Sequence, residues 1–522
     1  MIIARKFRLI SSLIFGCFIV SSAFAESGRS DYDLDDDGLI EINDLADLDE
    51  IRNKLTGTSL YGENTGCPAT DGCHGFELTT NLDFDTNTDG VMDENDDYWN
   101  DGAGWNPIGT GYSEYSAMLN GNGFEIRNLY INRSKSNYVG LFSAISGSSA
   151  NITNIKLTGS LMSITGSSYV GSLVGEAGSS AIISHSSSTG AVSGSNYVGG
   201  LVGRLSSSSS LTHSFATGTV VGIKNYVGGL VGSIISSSSI KQSFASGAVD
   251  GYSYIGGIAG SSSSSSTIDN CLSMAIMTGT SYTGGLIGYA NSVVLNNTYS
   301  SGEVVGSYKV GGLLGYSTNS STNNSYWAID SSNQDISGES NIDTNYVGAT
   351  FTQLRCPTSA DNTSCLEGSA LFSTWDESIW DFGDNTQPPG LIIDGEIYRD
   401  SDADGILDRD DAFPNNKAAA LDSDLDGHPN EWMRYCDADC IAESGLTLDQ
   451  FPTLAAAWQD DDLDGYTDSW NESCDQNCQD DSGLTLDVYP FDTDNDGISD
   501  FEDNDDGNDG EIDADADSEV TN

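Results

Sequence analysis

Apolar residues in the middle of the chain come in short groups of four to seven, separated by glycine and serine. The groups are rich in Val, Ile, Tyr and Phe, and they lack the 3.6-residue spacing of apolar positions that marks a helix. Short β-branched and aromatic groups bounded by Gly and Ser are typical of β-strands joined by tight turns. The pattern therefore predicts an all-β region over residues 138–316.

These groups also repeat at a fixed period. The stretch NYVGGLVG occurs at 196–203 and again at 225–232, and related stretches recur at intervals of 27–31 residues. Their first glycines are Gly140, Gly171, Gly199, Gly228, Gly256, Gly284 and Gly311. A fixed period of this length marks a solenoid, in which each repeat buries its apolar face only against its neighbours. We therefore expect an all-β fold, a β-solenoid (β-helix) whose coils of about 28 residues hold about three short strands each.

Glycine and serine have structural explanations in such a coil. The glycines are expected at sharp corners, where they permit positive φ and let neighbouring coils approach closely. A phosphate-binding loop would need one glycine-rich loop leading into a helix, with Lys and Ser or Thr at fixed places, and no copy has them. Serine runs are expected at solvated corners, and a glycan-stacking or ice-binding face built from them is an alternative. The runs are Ser206–Ser210, Ser236–Ser239 and Ser261–Ser266.

Acidic twelve-residue loops precede the repeats. Loop 1 (33–44) and loop 2 (85–96) place oxygen-bearing side chains at positions 1, 3, 5, 9 and 12 and a glycine at position 6. In a Ca²⁺ loop the alternate side chains converge as ligands, the glycine makes the sharp turn and position 12 closes the shell. The candidate ligands are Asp33, Asp35, Asp37, Glu41 and Asp44 in loop 1, and Asp85, Asn87, Asp89, Asp93 and Asp96 in loop 2. Because Asp at position 12 has a shorter reach than Glu, affinities on the order of 10⁻⁴–10⁻³ M are expected.

The C-terminal tail carries four more such loops. Loop 3 (400–411) and loop 6 (492–503) flank a 38-residue unit that occurs twice, and the two copies contain loop 4 (422–433) and loop 5 (460–471). Both copies also keep a Trp, a Cys pair and SGLTLD in the same register, which random acidic filler would not do. A disordered acidic tail is the alternative, and it is the expected state of residues 504–522. The candidate ligands are Asp400, Asp402, Asp404, Asp408 and Asp411; Asp422, Asp424, Asp426 and Asn430; Asp460, Asp462, Asp464 and Asp468; and Asp492, Asp494, Asp496, Asp500 and Asp503.

Charge narrows the choice of partners. The chain has 522 residues and a formal net charge of −59, with the acids concentrated on both sides of an almost neutral middle. This distribution argues against nucleic acid and anionic membranes, which attract clusters of Lys and Arg. A tail this acidic should repel itself unless cations neutralise it, which favours Ca²⁺ as the cofactor. Mg²⁺ fits less well, because it keeps its waters and rarely uses an all-protein cage.

The N-terminus and the cysteines indicate export. Residues 1–25 combine a basic start, an apolar core and the sequence Ala-Phe-Ala, which is typical of a secretory signal peptide, and no later segment has the apolar length of a membrane span. Eight cysteines form close pairs, for which short-loop disulfides are expected and zinc sites are the alternative. The pairs are Cys67/Cys73, Cys356/Cys365, Cys436/Cys440 and Cys474/Cys478. Cys271 is left over and is expected to be a buried small hydrophobe.

The repeats offer little for catalysis. Glycoside hydrolysis needs two carboxylates about 5–9.5 Å apart. The acids of the repeats (Glu176, Asp250, Asp269 and Glu303) are scattered over different coils, and the zinc-protease motif HExxH does not occur. We therefore expect no enzyme and no catalytic residue, with a polysaccharide-acting β-helix lyase or hydrolase as the alternative.

The YVGGLVG stretches resemble the GLUG motif of secreted bacterial proteins. The stretches DDDGLIEINDLADLDEIRNKL, GWNPIG and LNGNGFEIRNLYINR look like the leader that precedes such coils, and SYWAIDSSNQ with WDFG looks like their closing segment. The tail loops resemble thrombospondin type-3 calcium repeats, which implies a wire-like stalk ordered by Ca²⁺. GLUG coils also occur beside metallopeptidase domains that cleave immunoglobulin A, but that activity is not implied here because the zinc motif is missing.

Six regions are predicted from these features. They are a signal peptide (1–25), an N-terminal cap with two calcium-type loops and the first β segments (26–137), the GLUG-type solenoid (138–316), its C-terminal cap (317–399), the calcium repeats (400–503) and an acidic disordered tail (504–522). The function they favour is that of a secreted, non-enzymatic, calcium-binding surface or matrix protein for adhesion or display. An extracellular glycan or protein is the expected partner, without nucleic acid or membrane insertion, and a purely structural spacer is a further alternative.

Overall fold

A computed structural model describes residues 29–336, 338–340, 346–355, 371–372, 374–383 and 387–493. Within them, three sheets of parallel strands wind around one apolar core and form a β-solenoid. The predicted all-β fold with coils of about 28 residues is therefore confirmed. The predicted signal peptide, the Cys356/Cys365 pair and loop 6 beyond Thr493 lie outside the described residues.

The first sheet is the longest, and the described part of the chain contributes 18 strands to it. It starts in the N-terminal region, ahead of the first GLUG-type repeat. Its strands are Leu39–Ile42, Gly75–Leu78, Leu82–Asp83, Met118–Asn120, Glu125–Arg127, Asn151–Thr153, Lys156–Thr158, Ile182–Ser184, Ser187–Ser188, Ser210–Thr212, Phe215–Ala216, Ser239–Ala245, Thr267–Ser273, Val294–Asn296, Tyr299–Ser300, Ser321–Asn323, Ser325–Ala328 and Tyr346–Ala349. Residues 39–127 thus form the first rungs of the same solenoid.

The second and third sheets close the coil. The strands of the second sheet are Tyr130–Asn132, Asn137–Val139, Ser163–Thr165, Ser168–Val170, Ala191–Gly194, Asn196–Gly199, Val220–Gly228, Ala248–Gly256, Ile276–Thr278, Ser281–Gly284, Val304–Val305 and Tyr308–Gly311. Those of the third sheet are Phe142–Ser146, Val174–Gly178, Val202–Leu205, Val231–Ile234, Ala259–Ser263, Ile287–Asn291, Leu314–Thr318 and Glu339–Ser340. Each coil therefore has three faces, as the repeat length predicts.

Equivalent residues of successive coils stack directly on one another. Val202, for example, pairs with Val174 below it and Val231 above it. Each repeat buries several apolar side chains, which line up in rows along the core. One completely buried row consists of Leu173, Leu201, Leu230, Ile258, Leu286 and Leu313. One repeat alone could not bury these side chains, which explains why the sequence repeats.

The glycines of NYVGGLVG are needed for close contact between coils. A Cβ on Gly232 would lie 2.5 Å from the carbonyl carbon of Tyr197, and one on Gly228 would lie 2.8 Å from the backbone nitrogen of Gly260, in each case on a neighbouring coil. Left-handed backbone occurs instead at the preceding aromatic position, with φ of 55° at Tyr197 and 66° at Tyr226. The expected positive φ at this corner is therefore carried by tyrosine, while glycine provides the space.

Short helices lie outside the coils. The helix Leu45–Glu50 begins where the Asp44 side chain accepts the Asp47 backbone N–H, and it continues as the 3₁₀ turn Ile51–Asn53. The remaining helical segments of the described chain are Asn100–Gly102 (3₁₀), Phe351–Leu354, Ala438–Ser444 and Gln476–Ser482. Among the described residues, no helix has the length and apolar character that a membrane span requires.

The tail lies against one flank of the solenoid. A small antiparallel sheet (Trp380–Asp381, Gly390–Ile393 and Glu396–Tyr398) leads into it. The Gly247 N–H donates to the Gly405 carbonyl at 3.0 Å, and Arg434 pairs with Asp250 at 3.2 Å. Disulfides join Cys67 to Cys73, Cys436 to Cys440 and Cys474 to Cys478, and Cys271 is a buried free thiol.

Candidate metal centre

Loops 1 to 5 share one backbone conformation. Position 4 is left-handed in each, at Asp36, Thr88, Ala403, Leu425 and Leu463, and so is the glycine at position 6. In each loop the position-6 N–H donates to a carboxylate oxygen of the position-1 aspartate at 2.9–3.0 Å. A left-handed Leu or Thr is costly, so its recurrence at one position shows that the loop conformation is specified. In loops 1, 3 and 4, one carboxylate oxygen from each of the side chains 1, 3 and 5 lies within 4.8 Å of the others.

Loop 3 is the most buried of these centres. Asp400, Asp402 and Asp404 expose 2%, 9% and 5% of their surface, and one carboxylate oxygen from each lies within 4.8 Å of the others. One buried oxygen of Asp402 and one of Asp404 have no hydrogen-bond partner among the described residues. Asp402 and Asp404 also line a cleft of about 480 Å³ between tail and solenoid, which gives an ion a path to the centre.

Burial makes these carboxylates weak acids in the metal-free chain. Desolvation, together with the charge of Asp402, raises the pKa of Asp404 to about 8. Desolvation likewise raises the pKa of Asp411 to about 7 and that of Asp400 well above its usual value. No salt bridge within the described part of the chain involves Asp400, Asp402 or Asp404. Buried carboxylates without a cationic side chain are stable only when protonated or bound to a cation.

Loops 4 and 5 repeat this arrangement at the tail surface. Asp422, Asp424 and Asp426 form one carboxylate group in loop 4, and Asn430 accepts the Ser423 N–H at 2.8 Å. In loop 5 the residue equivalent to Asn430 is Asp468, which accepts the Asp461 N–H at 3.0 Å. Further candidate ligands of loop 5 are Asp460, Asp462 and Asp464, and buried oxygens of Asp460 and Asp468 lack a partner among the described residues.

A closing carboxylate that the sequence analysis missed comes from the SGLTLD segments. Asp449 exposes 3% of its surface, and desolvation raises its pKa to about 6, with Asp426 and Asp424 adding to the shift. Asp487 is 7% exposed. Desolvation raises the pKa values of Asp462 and Asp468 in loop 5, and the charge of Asp487 adds to both shifts. Asp449 and Asp487 each have one buried oxygen without a partner among the described residues. The two aspartates thus lie beside the acids of loops 4 and 5, whose own position 12 carries Met433 or Asn471.

A short motif would have identified both residues. Asp449 and Asp487 stand two residues before an aromatic residue and a proline, in DQFP and DVYP, and Asp411 of loop 3 stands in DAFP. All three carboxylates accept the N–H of that aromatic residue at 2.7 Å. In loop 3 the motif falls at position 12, whereas in loops 4 and 5 the inserted cysteine helix moves it 16 residues further along the chain. Loops 3, 4 and 5 are therefore each accompanied by the same D-x-aromatic-Pro motif in the same local conformation.

Loop 1 has an acidic neighbour from outside the loop. Asp35 and Glu41 come within 4.8 Å of Glu77, which belongs to the neighbouring strand Gly75–Leu78 and exposes 7% of its surface. The pKa values of Glu41 and Glu77 are raised, chiefly by desolvation. Asp33, completely buried, forms a second group with Asp35 and Asp37. Asp44 caps the following helix.

Loop 2 closes on itself. Asp85 accepts the N–H groups of Asp89 and Gly90 at 3.2 and 3.0 Å, and the Asn87 side chain accepts the Asp89 N–H at 3.0 Å. Asp96 at position 12 is 5% exposed and accepts the Thr86 N–H at 2.8 Å, which brings the end of the loop back to its start. Asp93 accepts the N–H of Asn95 two residues later. In loop 6, Asp494, Asp496, Asp500 and Asp503 lie outside the described residues, and the Asp492 N–H donates to Asp462 of loop 5.

The acids of the solenoid are engaged in separate contacts. Glu176 pairs with Arg204 at 2.6 Å, Asp250 with Arg434 at 3.2 Å, and Asp269 with Lys241 at 3.8 Å. Glu303 lies in the cleft between tail and solenoid, and burial raises its pKa. These contacts give no pair of free carboxylates that resembles a glycosidase centre.

Comparison with known proteins supports part of the sequence interpretation. The family model described as "The GLUG motif" matches residues 194–221, which confirms that resemblance. A "Putative Gly-rich membrane protein" of Evansella cellulosilytica is 30% identical over 161 residues, 30% of this chain and 16% of the relative. Halomucin of Haloquadratum walsbyi is 32% identical over 122 residues, 23% of this chain and 1% of the relative. The chain therefore spans a small part of each of these relatives.

One solved structure of similar outline is described as that of "a putative immunoglobulin A1 protease from Bacteroides ovatus". It is 15% identical in sequence and has a TM-score of 0.39, with 69% of this chain and 93% of that chain covered.

Proposed function

We propose that the protein is a calcium-binding surface or matrix protein, in which a β-solenoid body carries a tail ordered by Ca²⁺. One observation carries the calcium proposal. Buried carboxylate oxygens without a partner among the described residues occur in loop 3, in loop 4 and in loop 5 with their closing aspartates. Position 3 recurs in two loops (Asp402 and Asp424), and so does the aspartate of the D-x-aromatic-Pro motif (Asp449 and Asp487). A buried polar group without a partner is costly, and its repetition in three copies supports a ligand common to all three.

The donor set favours Ca²⁺ over other ions. The converging side chains are carboxylates and amides, and Ca²⁺ takes six to eight such oxygens in flexible geometry. Mg²⁺ demands a stricter octahedron and keeps its waters. Zn²⁺ prefers sulfur and nitrogen, and the cysteines of the tail are joined in disulfides. The proposed ligands are the side chains at positions 1, 3, 5 and 9 and the aspartate of the D-x-aromatic-Pro motif.

Counting bound calcium in the mature chain by equilibrium dialysis tests this proposal. We expect Asp404→Asn and Asp449→Asn each to lower the bound calcium by about one ion per chain at limiting concentration, because the charge on the ligands sets the affinity. Glu443→Gln is the matched control, since it removes one acidic charge from the exposed surface of the helix Ala438–Ser444. Absence of calcium binding by the wild type, or an equal loss in Glu443→Gln, would refute the proposal.

The location of the protein is part of the same proposal. Three disulfides fit an oxidising compartment, and the name of one relative, a Gly-rich membrane protein, fits the cell boundary. Calcium loops of the weak extracellular kind would be saturated outside a cell. We therefore propose an extracellular role in adhesion or display, with the solenoid as the exposed body.

A further inference from the structure

A ladder of tyrosines runs along one corner of the solenoid. Its rings stack with centroids 4.7–4.9 Å apart over six coils. The members are Tyr138, Tyr169, Tyr197, Tyr226, Tyr254 and Tyr282. Because each ring covers the face of the next, the ladder presents ring edges to the neighbouring third sheet.

A column of side chains on the third sheet runs beside this ladder. In register, the column consists of Glu176, Arg204, Ser233, Ser261, Tyr289 and Tyr316. Large side chains at both ends lie against the ladder. The Arg204 guanidinium carbon is 4.4 Å from the Tyr169 ring centroid, and the Tyr289 ring meets that of Tyr254 at 5.7 Å and an angle of 78°.

Ser233 and Ser261, in the middle of this column, are too small to cover the tyrosine ladder. A pocket of about 360 Å³ opens there, with Ser233 and Ser261 between Arg204 and Tyr289. The two serines expose 3% and 7% of their surface, and their hydroxyls lie 2.9 Å apart. The pocket is also lined by Tyr197, Tyr226, Tyr254, Ile235 and Ser263. We call it the serine notch.

The notch is polar but carries no net charge. Arg204 donates to one oxygen of Glu176 through Nε at 2.9 Å and through Nη2 at 2.6 Å, so its charge is matched. An anionic ligand would gain little from this pair, and the strongly acidic chain would repel it. Ser233 and Ser261 hydrogen-bond to each other, so one of the two keeps an O–H for a ligand, and a purely aromatic guest would offer that O–H no acceptor, which costs affinity. The chemistry that remains is a ring whose C–H face lies on the face of Tyr289 that is turned toward Ser261, and whose hydroxyls reach the serines.

We propose that the serine notch binds a neutral hexopyranose residue of a glycan. The volume lies at the lower end of the range for small-ligand sites, where a few convergent polar groups on an aromatic wall fix the orientation. Tyr289 and the ladder supply the wall, and the serine hydroxyls supply the polar groups. The inference identifies a partner for the proposed surface role, but it concerns the solenoid alone. A negative result would therefore leave the calcium proposal intact.

Saturation-transfer NMR and calorimetry on the mature chain test the notch. The probes are glucose, galactose, mannose, xylose and N-acetylglucosamine, with β-1,3- and β-1,4-linked glucose hexamers. Ser261→Tyr extends the Tyr289–Tyr316 stack by one coil and fills the notch with a side chain that the same column accepts one rung away. We expect at least one neutral probe to bind the wild type and to lose affinity about tenfold or more in this variant.

Ser239→Tyr is the matched control, because it adds the same side chain to a half-buried serine on the first sheet. It should bind the probes like the wild type. Tyr289→Ala, which removes one end wall without adding bulk, provides a second variant and should also weaken binding. The proposal is overturned if no neutral probe binds at millimolar concentration or if Ser261→Tyr binds unchanged. Preferential capture of a polygalacturonate hexamer or of a tyrosine-containing peptide would overturn it too.

Discussion

Three aspartates of the tail, one for each of loops 3, 4 and 5, have the same local hydrogen bond. Asp411, Asp449 and Asp487 accept the same backbone N–H two residues further on, although they stand at different distances from their loops. The residues five positions after Asp449 and Asp487 also contact loops 4 and 5 through their backbone. The Asp492 N–H donates to Asp462. Burial raises the pKa of Asp424, and a hydrogen bond from the Leu454 backbone offsets part of that rise. The closing segment is therefore a fixed unit that docks on each loop.

The raised pKa values predict that calcium competes with protons. In the metal-free folded chain Asp404 keeps its proton up to about pH 8, against a pKa of about 3.9 when unfolded. Folding therefore takes up protons between these values, and the metal-free tail loses stability as the pH rises through this window. Calcium requires the ionised form, so binding releases protons and tightens as the pH rises from about 6 to 8.

Calorimetry in two buffers of different ionisation enthalpy measures this release. At about pH 6.5, the wild type should release at least one proton when calcium binds, and Asp404→Asn should release fewer. Glu443→Gln should match the wild type. A calcium affinity that stays constant between pH 6 and 8, without proton release, would show that these carboxylates do not bind the ion.

Among the elements of the fold, neighbouring coils need glycine where their backbones lie in direct contact. A Cβ on Gly232 would meet the Tyr197 carbonyl carbon at 2.5 Å and the Gly203 carbonyl oxygen at 2.6 Å, and neither backbone atom can rotate away. We expect Gly232→Ala to destabilise the solenoid by about 1–3 kcal/mol. Thermal unfolding followed by circular dichroism should show a lower midpoint.

Gly178→Ala is the control for this prediction. Its Cβ would meet only the Ser206 hydroxyl at 3.3 Å, which can turn aside. We expect a change within about 0.5 kcal/mol. Equal midpoints for the two variants would mean that the glycines are not needed for the spacing between coils.

The elements that follow from local sequence were predictable, and those that depend on distant segments were not. The 28-residue period predicted the coils, and the spacing of Asp400, Asp402 and Asp404 predicted a convergent loop. The positive φ values of the tyrosines were not predicted. They depend on how neighbouring coils stack, and the position of a tyrosine in the sequence does not show this. Glu77 and Asp449 were missed for a similar reason: each reaches its loop from a segment outside the twelve-residue window.

For the whole molecule, the distribution of charge explains the need for a cation. The repeat region 138–316 is almost neutral and belongs to a continuous apolar core, so the solenoid is expected to be stable without the tail. The tail is acidic, contains few buried apolar residues and contacts the solenoid through loop 3, where Gly405 lies against Ile276. Neutralising loop 3 should therefore fix the tail on the flank of the solenoid.

The most direct test of this account is hydrogen–deuterium exchange of the mature chain with calcium and with EDTA, resolved by peptide. Peptides from residues 400–493 should exchange slowly with calcium and much faster with EDTA. Solenoid peptides from residues 138–316 should exchange equally in both and so serve as the internal reference. If the tail peptides exchange at the same rate in both conditions, calcium does not order the tail, and the central claim is wrong.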